Sequence, residues 1–583
     1  MEDYLSILKE FEESKDRFSY EAIRSKLNGI HEHYPDLNSE YWSESLAFSF
    51  SENQQNNPEG YKAYYGPMLT VNSKNGTKVS LPPFESINSD RLAYWEKRSN
   101  ETAHPYLKLR YLGLVIEFKK RIAEERINLK QFEDYVYIAL KIIDEGFIAR
   151  SWEIFDYLNR CLSISIKINS EKLREEVKSR YLSLNSDDSP ASFYRPYDDL
   201  LWNTGAKLSE DERKNIIGKI DEAIDQMSSD VVEKIDPEFL YEGVKRLSEF
   251  YNRTNDKAKL GKALLNYRSS IEKLASKLPA IVIVQYWERL LTLYSKYGFI
   301  AEAKQVVKEI EKRSPELLAD MKRIGTNFEI PIEFINGQKE VLSQMPDQDA
   351  LINFAECFIP NMKRESEALN ERKSEFPLLY GLSKDSLDGN TGRKIAQIGS
   401  VEEDFEGQLT GAVSQTMVIY SPLLREILEF LINSKNIKTE SILQFLNESP
   451  IFPKDRSEFI GRSIEYFKKK EYDTFVHNII PQIEHALREL LGILGGSTMK
   501  AKEEIYNLKN LDEILRDPLI LNFLGQDLSE YLRILLTDNR GWNLRNNVMH
   551  GISSPDSISS AIADRVFHAL LCLGLFSSEE SFQ

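Results

Sequence analysis

The sequence predicts a mainly α, multidomain protein: an irregular, repeat-like helical array followed by a C-terminal four-helix bundle, with minor β-hairpins. Three observations carry this. Apolar residues recur at three- and four-residue spacing through most of the chain, the period of an amphipathic helix rather than a strand. At 583 residues the chain exceeds a single hydrophobic core, which ordinarily stops growing at about 250–300 residues. Turn signals rich in Gly, Pro, Asn and Asp interrupt the helical text, and only rarely flank short strand-like segments.

In chain order, residues 1–127 read as a helical region with a small hairpin, 128–370 as a helical array, 371–455 as a connecting region and 456–583 as the bundle. Residues 2–50 alternate acidic and apolar positions in helical style, and a polar loop follows from Ser51 to Gly60. Leu69-Thr70-Val71 and Lys78-Val79-Ser80-Leu81 flank Asn75-Gly76, a hairpin signal. Helices are expected over 91–98, 105–127 and 129–144. Pairs of helices then continue with breaks near Ser186, Asn203-Gly205, Asp236-Pro237 and Asn252. The Tyr297-Gly298 turn in one such pair is reminiscent of tetratricopeptide-type repeats, although no strict period is found.

Between Phe376 and about Gln415 the helical pattern fails, and a loop with a candidate hairpin is expected around Asp388-Gly389-Asn390-Thr391-Gly392. The last third is helical again: 457–470, 474–494 with Pro481 inside it, short pieces over 511–523, 528–550 and 557–576. Phe475, Val476, Ile479, Ile480, Ile483, Leu487, Leu490 and Leu494 form one apolar stripe, and Ile558, Ile562, Val566, Leu570 and Leu573 another. Four such helices make a bundle.

Composition narrows the function classes. No apolar run approaches the ~18 residues of a membrane span, and the first residues lack a signal peptide's basic and apolar parts, so a cytoplasmic protein is expected. Cys161, Cys357 and Cys572 are too far apart for a zinc knuckle and suit small buried thiols without a disulfide. A net charge of −17 opposes general nucleic-acid binding, yet acidic and basic residues nearly balance between Lys454 and His550, where Lys468-Lys469-Lys470 cluster. Any RNA site must be local. No phosphate-binding or dinucleotide Gly-rich motif occurs. His31-Glu32-His33 with Asp36 is metal-capable, but an H-x-H within one helical segment does not put both imidazoles on one face. Asp385, Asp388 and Gly389 lack the downstream acidic position of a calcium loop. No metal or cofactor is expected.

The stretch Gly541-Trp542-Asn543-Leu544-Arg545-Asn546-Asn547-Val548-Met549-His550-Gly551 sets an Arg and a polar residue ahead of a His, with four residues between Arg545 and His550. The bare pattern also matches Arg24 with His31 and Arg98 with His104, so context must choose. His31 follows Asn28-Gly29, a turn signal, and His104 precedes Pro105, which moves its backbone out of the α region. Neither pair is expected inside one continuous helix. The 528–550 stretch has no Pro, carries Leu528, Leu532, Leu535, Leu536 and Leu544 at helical spacing interrupted by Gly541, and ends at Gly551, an expected stop. Ser554-Pro555-Asp556 then opens the next helix. On an ideal helix Asn546 and His550 share a face, whereas Arg545 lies about 140° from His550.

This motif and its helical setting over 457–576 resemble the HEPN superfamily. The long helical part upstream, Phe376-Pro377-Leu378 and the Asp388-Gly389 turn look like a bacterial family whose proteins end in such a domain. The resemblance implies a metal-independent ribonuclease working as a homodimer, with both Arg/His pairs in one cleft, in a toxin or antiphage role. Other members keep the fold without cleaving. It further implies RNA as partner, no membrane, and a regulatory protein or phage-derived trigger acting on the helical part.

The chemistry fits the residue types. A His can move protons near neutral pH and an Arg can pair with phosphate oxygens, so His550 is the candidate general acid or base and Arg545 the phosphate clamp. Asn546 can orient the imidazole or hold a phosphate oxygen, and Asn547 and Trp542 are candidate substrate contacts. His477, Glu484 and Arg488 share one helix face, either as a solvated stripe or as supports that orient Arg545 or His550. Tyr472 is either a stacking platform or core packing. The competing readings are a non-catalytic RNA- or nucleotide-binding module and a helical protein-interaction scaffold.

Overall fold

The computed structural model describes residues 4–14, 18–33, 39–52, 64–72, 78–148, 151–184, 190–321, 331–388, 392–502 and 505–576. Among them helices predominate, and the strands form four separate two-stranded antiparallel sheets. The chain divides into two compact units, Met1–Lys308 and Glu309–Gln583. The division falls inside the helix Ile300–Asp320, within the stretch read from sequence as one array.

The first unit opens with the helices Tyr4–Glu13, Tyr20–His33 and Ser39–Ala47, whose apolar residues join a core with Trp95, Tyr111 and Phe118. Tyr20–His33 runs through Asn28-Gly29, which corrects the expected turn. Ile23 and Leu27 are fully buried, and the Tyr41 hydroxyl donates to the Leu27 carbonyl at 2.7 Å. That packing outweighs the roughly 1 kcal/mol that Gly costs in a helix, so Arg24 and His31 do share one continuous helix. The hairpin pairs Leu69 with Leu81 and Val71 with Val79. Its Asn75-Gly76 tip, the polar run from Asn53 to Gly60, Asp36 and the side chains of His31, Glu32 and His33 lie outside the described residues, as does Ser186. From Ser89–Glu101 onward, helices pack neighbour on neighbour to Ala280–Lys296. The breaks at Asn203, Asp236 and Asn252 fall at a short 3-10 turn and at the two ends of Pro237–Arg253.

In the second unit, Lys384–Leu387 pairs with Lys394–Ile398 as the expected hairpin, while residues 389–391 at its turn lie outside the described residues. The non-helical text expected to reach about Gln415 ends earlier, at the helix Phe405–Ile419. Asp404 caps this helix by accepting the Gly407 N–H at 2.9 Å. A Cβ on Gly407 would come within 2.2 Å of the same carboxylate, so the glycine is what lets the cap close.

The helices Ser457–Lys468, Tyr472–Ile493, Pro518–Leu536, which is two segments joined across a kink at Gly525 (φ 74°), and Ser560–Gly574 supply the expected amphipathic faces. Two expectations are corrected. The 528–550 segment is not one helix, because the chain leaves the helical path after Leu536 and re-enters it at Leu544–Met549. The terminal helix starts at Ser560 rather than Ser557, since Pro555–Ser557 forms its own 3-10 turn. The terminal helix is also packed by helices from outside these four. Every position from Ala563 to Gly574 is buried, and a helix covered all round needs neighbours on every side. Besides Tyr472–Ile493, the cover comes from Asp347–Cys357, Ser421–Glu429 and Thr439–Asn447. All of them share one core running from Ile335 to Leu573. The chain between 493 and 511 also contains strands paired as Met499–Lys502 with Ile505–Leu508, in a stretch for which no element is expected from the sequence.

Cys161 and Cys572 are buried but Cys357 is exposed, so the expectation of buried thiols holds for two of the three. Among the described residues no helix is long and apolar enough to cross a membrane.

Candidate functional site

The motif segment is positioned by a charged turn. Arg533, 3% exposed, pairs with Asp538, which is equally buried. It also donates to Glu530 at 2.6 Å and to Glu406 at 3.1 Å. Arg540 donates to both Asp538 oxygens, at 3.0 and 2.9 Å, and to Glu406 at 2.8 Å. Burial pushes the Asp538 carboxyl up, but the Arg540 hydrogen bonds and the Arg533 charge outweigh it and hold the group below the usual carboxylate range. Asn539 ties the turn to the hairpin by donating to the Ile395 carbonyl at 2.9 Å. Gly541 then crosses over the preceding helix, where a Cβ would lie 2.5 Å from the Ile534 carbonyl oxygen. The Trp542 N–H donates to that same oxygen at 2.9 Å. With Asn543 in the left-handed region at φ 52°, the chain enters Leu544–Met549.

This short helix ends as the sequence predicts. Gly551 takes φ 66°, its N–H donates to the Val548 carbonyl at 3.1 Å, and the Ile552 N–H reaches Asn547 at 2.9 Å. The pair of bonds is a Schellman motif, and it makes His550 the C-cap. The His550 side chain is exposed and forms no hydrogen bond among the described residues. Leu544 and Val548 anchor the helix in the core.

Arg545 points across to the helix Tyr472–Ile493, where its Nε donates to Glu484 Oε2 at 2.9 Å, with both side chains about one-fifth exposed. The other Glu484 oxygen accepts from Arg488 at 2.9 Å, and Arg488 also donates to the Lys509 carbonyl at 2.8 Å. Two of the three residues of the sequence-predicted stripe therefore support Arg545. His477 does not: it is exposed and bonded at 2.8 Å to the Asp473 carbonyl of its own helix. Asn546 accepts from Arg545 Nη1 at 3.3 Å and donates to Asn543 Oδ1 at 2.7 Å. It orients the arginine, and no hydrogen bond joins it to the His550 ring.

Asn547 donates to the Trp542 carbonyl at 3.3 Å. Both residues line a cavity of about 670 Å³ together with Arg425, Asp564 and several serines. Tyr472 belongs to the supports of this cavity, since its hydroxyl accepts from Arg425 at 2.5 Å while Arg425 also binds Asp564 at 2.9 Å. Of the basic run, Lys468 donates to Thr439 at 2.6 Å, while Lys469 and Lys470 are exposed. The Arg98 and His104 match of the motif is structural. Arg98 pairs with buried Glu44 at 2.6 Å, and buried His104 caps the helix Pro105–Ile122 by accepting the Tyr106 N–H at 3.3 Å.

Sequence reading missed the Glu406, Arg533, Asp538 and Arg540 cluster. Its only signal was the turn-like Asp538-Asn539-Arg540-Gly541 string, of which only Gly541 entered the sequence reading, as an interruption of the helical spacing. The resulting surface offers an exposed imidazole able to carry a proton and, five residues earlier, a guanidinium whose Nη2 makes no hydrogen bond to the described residues. Among those residues no group of three or more His, Cys, Asp or Glu side chains is placed to hold a metal ion. Comparison with protein-family models, curated proteins and solved structures finds no match.

Proposed function

We propose that the chain is a metal-independent RNA endonuclease of HEPN type, with His550 as general acid or base and Arg545 as phosphate clamp. The observation that carries this reading is the exposed, unbound imidazole at the end of the helix whose Arg545 is braced by Glu484. In the reaction the 2′-OH attacks the adjacent phosphorus, its proton passes to a base, the bond to the 5′ oxygen breaks, and that oxygen takes a proton. The products are a 2′,3′-cyclic phosphate and a 5′-hydroxyl. Two proton transfers need two groups, and one His550 supplies one. Arg545 is also turned toward Glu484 rather than toward its own His550. A second copy of the chain supplies the other imidazole, so the active form is a homodimer through the C-terminal bundle. In a toxin or antiphage effector the helical part upstream is where a regulatory protein or phage-derived trigger acts.

The test is incubation of RNA with the wild type, His550→Ala and Arg545→Ala in excess chelator. The wild type is expected to leave 2′,3′-cyclic ends, and each variant to be at least about 100-fold slower. His550→Ala, at an exposed position, should unfold within about 0.5 kcal/mol of wild type. Full activity in either variant removes that residue from the mechanism, and cleavage that vanishes with chelator and returns with Mg²⁺ overturns it. Sedimentation should show a dimer, and a monomer fully active across a wide concentration range contradicts the shared cleft. The Arg545–Glu484 ion pair favours a second reading, a non-catalytic RNA-binding module, because a carboxylate already offsets the clamp's charge. RNA binding that His550→Ala leaves intact, without turnover by the wild type, is its signature.

A further inference from the structure

Two arginines stand among the largest fully buried side chains, Arg110 and Arg565, each 1% exposed. Arg110 has its counter-charge in Glu52 at 2.7 Å and lies over the rings of Tyr20 and Tyr65. Arg565 has neither. Its Nη2 donates to the Met417 carbonyl at 2.8 Å and its Nη1 to the Phe358 carbonyl at 3.4 Å. Its Nε is shut off from solvent and has no partner. Among the described residues Arg565 forms no ion pair, and Asp564 beside it is bound to Arg425.

Of the titratable groups around the guanidinium, Asp564 is acidic and its charge interacts with Arg565, but its carboxylate is bound to Arg425; the others bring no negative charge. Burial, and then the charge of Arg565 itself, push the His568 imidazole down to about 3. Burial pushes the Tyr531 hydroxyl and the Cys572 thiol well up, so both keep their protons. A buried cation is tolerated where it is paired and its donors are used, and a guanidinium has five N–H donors.

Arg565 lines a cavity of about 640 Å³, within the usual range for a small-molecule site. Phe354, Phe358, Met417, Leu423 and Ile427 give it apolar walls, and Arg364 and Arg372 also line it. No residue from 541 to 551 contributes. We propose that this cavity binds an amphipathic organic monoanion, with a carboxylate on Arg565 and an apolar chain or ring against the aromatic and aliphatic walls. One buried cation compensates one charge. A more highly charged anion would also meet Glu365, which faces the same cavity and accepts from Thr416 at 3.1 Å. The proposal is independent of RNA cleavage.

Calorimetric titration of the full chain with decanoate, decanol and inorganic phosphate tests it. Decanoate should bind once per chain, decanol at least ten-fold more weakly, and phosphate without saturation. Arg565→Met should erase the preference for decanoate over decanol. Ala368→Trp, on the half-exposed wall helix Met362–Glu375, should lose decanoate binding while melting as wild type does, and it decides the matter if Arg565→Met fails to fold. Equal affinities for decanoate and decanol, no decanoate binding at millimolar concentration, or undiminished binding by Ala368→Trp would overturn the proposal.

Discussion

Asp564 and Arg565 are adjacent on the terminal helix, and both are removed from water. Asp564 is 0% exposed, one of its oxygens accepts from Arg425 and the other has no partner. Burial raises its carboxyl to about 6 against the pull of Arg425. The folded state therefore favours the protonated form. Between the ordinary value of about 3.9 and the raised one, the native chain binds more protons than the unfolded chain. The stability this group contributes is complete below about pH 4 and is lost as pH rises through 6. Asp564→Asn should then match wild type near pH 4 and exceed it at pH 8 in urea midpoint. A variant equally weakened at both pH values would show that the Arg425 bond, not the carboxylate's burial, governs the position.

At the scale of elements, the six-residue motif helix is too short to hold itself, because a helix nucleus is costly and isolated helices shorter than about 12–15 residues are marginal. Leu544 and Val548 in the core, the Schellman end at Gly551 and the fold-back at Gly541 hold it instead. Gly541→Ala would drive a methyl into the Ile534 carbonyl. It should cost about 1–3 kcal/mol, the usual range for overpacking, and should displace Arg545 from Glu484. An unchanged urea midpoint would show that the fold-back yields without strain. The same reasoning applies to Gly407 in the first turn of Phe405–Ile419, where the missing Cβ leaves room for the Asp404 cap.

For the whole molecule, the decisive feature is the cover of Ser560–Gly574. A fragment of residues 456–583 keeps the motif but loses Asp347–Cys357, Ser421–Glu429 and Thr439–Asn447, leaving His568, Cys572 and Gly574 among the residues stripped of neighbours. It should aggregate or melt without a cooperative transition, whereas Glu309–Gln583 contains the entire core from Ile335 to Leu573 and should unfold cooperatively. Circular dichroism melts of the two fragments decide this. A cooperative transition in 456–583 would restore a self-standing four-helix domain.

Hydrophobic period and turn chemistry were sufficient for the helical class, the Leu69 to Leu81 hairpin, the apolar stripe from Phe475 to Leu490 and the stop at Gly551, because each is a local preference written within a few residues. The Arg545, Asn546 and His550 candidates were legible for the same reason. The stripe of Glu484 and Arg488 could be seen, but not that it braces Arg545, since that bond joins residues 61 positions apart. Periodicity reports which face of a helix is apolar and leaves open what covers it. Only packing could decide that Ile23 and Leu27 carry a helix through Gly29, that the chain turns back between Leu536 and Leu544, and that helices from before residue 450 enclose the terminal one. Burial likewise depends on every neighbour at once, which is why Arg110 and Arg565 look alike in sequence although only Arg110 is given a direct ion pair.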